Sequence, residues 1–285
     1  KKITDESGNV SWNLLLPDNL LKDADPDGPL AYDGNPEACA YPSYIWWQEY
    51  ANYDKPKPDF IYQSRSDNGD ETFTNPLVYG DFTNPDVIRA GNLYYMVSSS
   101  GSRFPGVTLL SSPDLVNWEY VSSPVLNIAG YDDLNGAVVS KLSYHQGVFY
   151  LVVNIPNAET LLLSTTNPEK EWVTTNFPEA MQNAGLFVDA DGKFYLFHGV
   201  NSLHINVLND NFQPIDNGVE IVNHPDSDLR INQMFKVNGY YYLFAVKHGD
   251  QPSLLAFRSE NIAGPYEERS IFSDIPFKCG AMVET

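Results

Sequence analysis

The chain has 285 residues, 42% of them hydrophobic and 13% aromatic, with a formal net charge of −20. That charge repels phosphate backbones and anionic lipid, which argues against a nucleic-acid or membrane-surface partner and leaves neutral glycans compatible. No apolar run approaches the roughly eighteen residues that a membrane-spanning helix needs. The 19 Gly and 20 Pro are spread along the chain rather than clustered, as expected for many short strands joined by tight turns.

The N-terminal Lys1-Lys2, followed by polar residues, looks like a mature start after removal of a signal peptide, so a secreted, periplasmic or cell-surface protein is expected. Residues 1–75 read as an extension packed on the domain that follows. They are rich in Asp, Asn and Pro, with an aromatic cluster at Tyr44, Trp46, Trp47 and Tyr50. The cluster could pin the extension in place or stack on a sugar ring. Cys39 and Cys279 could pair or remain two buried thiols; two cysteines do not decide.

Residues 76–285 read as one domain, in which a repeat runs from residue 84 to the end. Gly91-Asn92-Leu93-Tyr94-Tyr95, Gly147-Val148-Phe149-Tyr150, Gly192-Lys193-Phe194-Tyr195 and Gly239-Tyr240-Tyr241-Tyr242 each place aromatics within three residues after a turn glycine. This spacing, with an apolar strand before each turn, matches blades of four short strands. Units are expected to start near 84, 136, 183, 230 and 278. The predicted fold is all-β, a five-bladed β-propeller whose fifth blade is incomplete in this chain. Residues 58–63 could lend a closing strand. Outer segments carry Trp118, Trp172 and Tyr266, read as packing between blades.

The stretch Asn75-Pro76-Leu77-Val78-Tyr79-Gly80-Asp81-Phe82-Thr83-Asn84-Pro85-Asp86, then Tyr94-Tyr95-Met96-Val97-Ser98, Phe104-Pro105-Gly106 and Asp114-Leu115-Val116-Asn117-Trp118, resembles the first blade of glycoside hydrolase family 43. The likeness runs more thinly to the C-terminus. The resemblance implies hydrolysis of plant- or algal-type polysaccharide with inversion. Three inward carboxylates would serve as base, pKa tuner and acid, with base and acid on opposite sides of the sugar.

At those three positions this chain has Asn84, Asn183 and Arg230. An amide cannot take a proton from water near neutral pH, and a guanidinium does not give one up. The family's Trp-Ala-Pro of blade two corresponds to Val138-Val139-Ser140. Its His of blade five, near a central metal or water, corresponds to Lys278. A central calcium or water site is therefore in doubt and no cofactor is expected. General acid and base each supply roughly 10² to 10⁴ in rate, so the leading expectation is glycan binding with little or no hydrolysis. Asn84, Asn183, Arg230, Lys278 and Phe104 would line the binding funnel.

Two alternatives stand beside it. Asp86 and Asp228, each two residues from a family position, could be relocated carboxylates of an active arabinofuranosidase, xylosidase or galactanase, since a two-residue step in a strand keeps the same face. Asp133, Asp189 and Asp191 read as turn and cap residues. The other alternative is a non-enzymatic scaffold, acting through the extension or through a C-terminal domain absent from this chain. No phosphate-binding glycine loop, zinc-spaced cysteine pair or nucleophile elbow occurs. His198 could reach the pore.

Overall fold

A computed structural model describes residues 2–4, 10–12, 66–78, 80, 82–99, 107–125, 139–155, 159–177, 180–225, 227–273 and 280–283. Two compact units divide the chain, Lys1–Gln63 and Ser64–Thr285. In the first, β1 (Lys2–Thr4) pairs antiparallel with β2 (Val10–Trp12). The aromatic cluster at 44–50, residues 58–63 and both cysteines lie outside the described residues.

The second unit is all-β and forms a propeller of four-stranded antiparallel sheets, each a simple meander. Blade one holds β3 (Thr83–Ala90), β4 (Leu93–Ser99), β5 (Val107–Ser112) and β6 (Glu119–Ser122). Blade two holds β7 (Val139–His145), β8 (Val148–Asn154), β9 (Thr160–Thr165) and β10 (Val173–Asn176). Blade three holds β11 (Gly185–Val188), β12 (Phe194–His198), β13 (Ser202–Val207) and β14 (Val219–Asn223). Blade four holds β15 (Asp228–Val237), β16 (Tyr240–His248), β17 (Ser253–Ser259) and β18 (Glu267–Ser273).

The first turn of each blade follows its sequence. Gln146-Gly147 and Asn238-Gly239 both have two positive-φ residues between paired strand ends, the primed turn that matches strand twist. Gly91 supplies the single positive φ of a Gly-first hairpin in blade one.

Strand parity then builds the core. On β8, Leu151 and Val153 pack toward blade one, while Tyr150 and Val152 pack toward blade three. On β12, Leu196 faces blade two, and Tyr195 and Phe197 face blade four. Middle strands are thus apolar on both faces, because each sheet is sandwiched between neighbours. Trp118 is buried, and Trp172 and Tyr266 pack against the inter-blade clusters, as the packing reading of these aromatics expected.

Four blades, not five, are present among the described residues. Lys278 is outside them, and Gly280–Met282 and Val283 carry no strand. The Met282 N–H nevertheless donates to Gln233 Oε1 at 2.6 Å, so this segment lies against the inner strand of blade four.

Candidate functional site

The inner strands β3, β7, β11 and β15 stand side by side around the axis. They run in the same direction. Bonds between them link Asp86 to Leu142, Ser143 to Leu186, and Asn183 to Ile231. Their first residues therefore meet at one end, together with the last residues of each second strand. This mouth is where the sequence placed its family positions.

Asn84 sits at φ 49° in a bulge of β3: Thr83 pairs with Ser99 but Asp86 pairs with Val97, so β3 carries one extra residue. Asn183 precedes β11 at φ 53°. Asn tolerates this left-handed backbone better than most residues, and bulges commonly re-aim side chains beside active sites. Asn183 donates its Nδ2 to the Ile231 carbonyl at 2.6 Å, joining blade three to the residue after Arg230. Asn154, at the end of β8, exchanges two hydrogen bonds with the Ala184 backbone, at 2.9 and 2.7 Å. Asn201 accepts the Leu229 N–H at 2.9 Å and so fixes the start of β15.

Arg230 is half exposed and forks onto Asp228, with Nε to Oδ1 at 2.8 Å and Nη2 to Oδ2 at 3.2 Å. No bulge separates the two, so they share a face, as the two-residue argument required. Arg230 holds the Asp228 carboxyl below the usual carboxylate range, with burial opposing. A carboxylate held in that way is a poor proton donor at neutral pH.

Asp86 behaves differently. The bulge at Asn84 breaks the even parity on which its relocation rested. It is buried, at 2% exposure. Its Oδ2 accepts the Leu142 N–H at 2.8 Å, and its Oδ1 accepts Gln233 Nε2 at 2.6 Å. One carboxyl therefore ties blade one to blades two and four. Burial raises its pKa, against the charge of Lys141 and these donors. Sequence reasoning missed Lys141 and Gln233. Their strands carry several other polar residues, so no local signal set these two apart.

At the far end, Asp189 is more than a turn residue. It takes Lys236 Nζ at 2.6 Å and the Tyr241 hydroxyl, clamping blade three to blade four. Asp191 is the expected turn residue, paired with Lys193 at 2.9 Å. His198 bonds Asn206 at 2.8 Å within its own blade and stacks on His204. Phe104, Lys278, Asp133 and Val138 lie outside the described residues, as do the side chains of Val139 and Ser140. Among the described residues no cluster of His, Cys, Asp or Glu could hold a metal ion.

The family model for glycosyl hydrolases family 43 matches residues 73–272. A putative beta-xylosidase of Xylanibacter ruminicola is 29% identical over 232 residues, covering 75% of this chain and 43% of the relative. A putative beta-xylosidase of Escherichia coli K12 is 30% identical over 226 residues, covering 68% and 41%. The chain thus spans about four tenths of the length of these relatives. A solved bifunctional GH43-CE protein of Bacteroides eggerthii superposes with a TM-score of 0.66 at 30% identity, covering 74% of this chain and 30% of that one.

Proposed function

The chain belongs to glycosyl hydrolases family 43, and on that premise we propose that it is a carbohydrate-active propeller that binds plant-type polysaccharide and hydrolyses it little or not at all. The observation that carries this reading is the chemistry at the mouth. Asn84, Asn183 and Arg230 stand where the family resemblance expects base, pKa tuner and acid. Neither an amide nor a guanidinium transfers a proton near neutral pH. Asn183 spends its amide on a backbone carbonyl, and Arg230 spends its guanidinium on Asp228. The two relocated candidates are also committed, Asp86 to Leu142 and Gln233, and Asp228 to Arg230.

The ligand class is drawn from the relatives, whose names include beta-xylosidase and, for a protein of Bacteroides ovatus, non-reducing end alpha-L-arabinofuranosidase. Pentose-bearing oligosaccharide is the corresponding ligand for this chain, met outside the cytoplasm. Closure of the ring by a fifth blade beside Gln233 belongs to the same reading.

The test pairs calorimetry with reducing-sugar release on xylo- and arabino-oligosaccharides. Saturable heat without cleavage is expected. The double change Asn84→Asp with Arg230→Glu is expected to raise release by at least about 10²-fold, the return of general acid and base together. Efficient cleavage by the unaltered protein, or no heat with any glycan, would overturn the proposal.

A further inference from the structure

Lys141 is a charge in the middle of an inner strand, 6% exposed. Its stem crosses the neighbouring blade at Gly185, where an added Cβ would stand 3.0 Å from Lys141 Cγ. Among the described residues its ammonium has no hydrogen bond and no ion pair. It acts on Asp86 through space, but that carboxylate's bonds go to Leu142 and Gln233. The side chain as a whole is buried, and its ammonium carries three donors for a partner to accept.

Against Lys141 lies an axial cavity of about 150 Å³, shared with Asp86, Gln233, Phe187, Phe197 and Met234. Neither Asn84, Asn183 nor Arg230 lines it, so it is distinct from the family positions at the mouth. It gathers polar groups among aromatic and aliphatic walls, the usual make-up of a small-molecule site. A cavity of about this size holds one benzene-sized molecule or roughly five waters.

Charge selects the occupant. Lys141 and Asp86 cancel. An anion would leave excess negative charge buried in a chain that already carries −20, and a cation would crowd the ammonium. A neutral molecule rich in hydroxyl oxygens accepts the N–H donors and adds no charge, while its C–H faces pack on Phe187 and Phe197. We propose that this axial cavity is a second binding site, which takes a small neutral polyol of about three to five carbons with hydroxyl oxygens on Lys141 Nζ. The proposal does not depend on what binds at the mouth.

The test is ligand-observed NMR of glycerol, erythritol and xylitol with the whole chain, joined to crystals of the unaltered protein soaked in the best of them. Saturable binding is expected, with a hydroxyl oxygen within hydrogen-bond distance of Lys141 Nζ. Lys141→Met keeps the stem and removes the donors. It should weaken polyol binding about tenfold, the worth of one charge-assisted hydrogen bond, and leave oligosaccharide titration unchanged. Water alone around Nζ at saturating polyol, or equal binding by the variant, would sink the proposal. The soak decides the matter even if the variant does not fold.

Discussion

Replacing Asp86 by Asn separates a structural keystone from a relocated catalytic acid, because the two roles predict losses in different measurements. In the native protein Oδ2 accepts Leu142 N–H at 2.8 Å and Oδ1 accepts Gln233 Nε2 at 2.6 Å. An amide has one acceptor oxygen, so one of these donors must face an NH₂ group. Turning Gln233 does not rescue it, since Gln233 Oε1 already takes Met282 N–H at 2.6 Å. Lys141 also loses its counter-charge. A hydrogen bond to a charged acceptor is worth about 1.5–3 kcal/mol. Part of that is returned, because burial itself disfavours the charged carboxyl. The net cost should be about 1–2 kcal/mol, which lowers Tm by roughly 2–8 °C in a unit of this size. Scanning calorimetry and urea unfolding measure it, with reducing-sugar release run in parallel. An unchanged Tm, or hydrolysis present in the native protein and abolished by Asp86→Asn without loss of stability, would refute the keystone role.

Two further outcomes follow from the packing between blades. Burial, the largest single influence on Asp189, pushes its pKa up. Hydrogen bonds from Lys236, Tyr241 and the Ala190 N–H outweigh it and hold the carboxyl below its ordinary 3.8. A depressed carboxyl stabilises the fold above its unfolded pKa and loses that contribution as pH falls through the folded value. Asp189→Asn should therefore lower Tm by a few degrees at pH 7, with the two proteins converging below about pH 4, as thermal scans across pH would show. Gly185→Ala would set a Cβ 2.3 Å from Phe197 Cζ and 3.0 Å from Lys141 Cγ. Phe197 is buried, so urea unfolding should show a loss of about 1–3 kcal/mol from overpacking; equal stability would mean that the ring yields into the cavity it lines.

Much of this architecture is legible in the chain alone. The recurring glycine-then-aromatic pattern marks the hairpins at Gly91, Gly147 and Gly239, because only certain residues accept the backbone those turns require. The continuous apolar runs of β8 and β12 declare strands covered on both faces. That positions 84, 183 and 230 hold Asn, Asn and Arg is equally plain, since residue type is local information.

Tertiary structure decided the rest. A strand's parity is readable only until a bulge interrupts it, and the extra residue in β3 between Thr83 and Asp86 is a matter of pairing with β4, which no local pattern specifies. The partners of Asp86 lie 56 and 147 residues away, and the clamp from Asp189 to Tyr241 crosses 52 residues. Whether an aspartate is a turn cap, a keystone or a reactive group depends on which donors the fold brings to it and how much water it removes, and those are properties of the folded ring rather than of the neighbours along the chain.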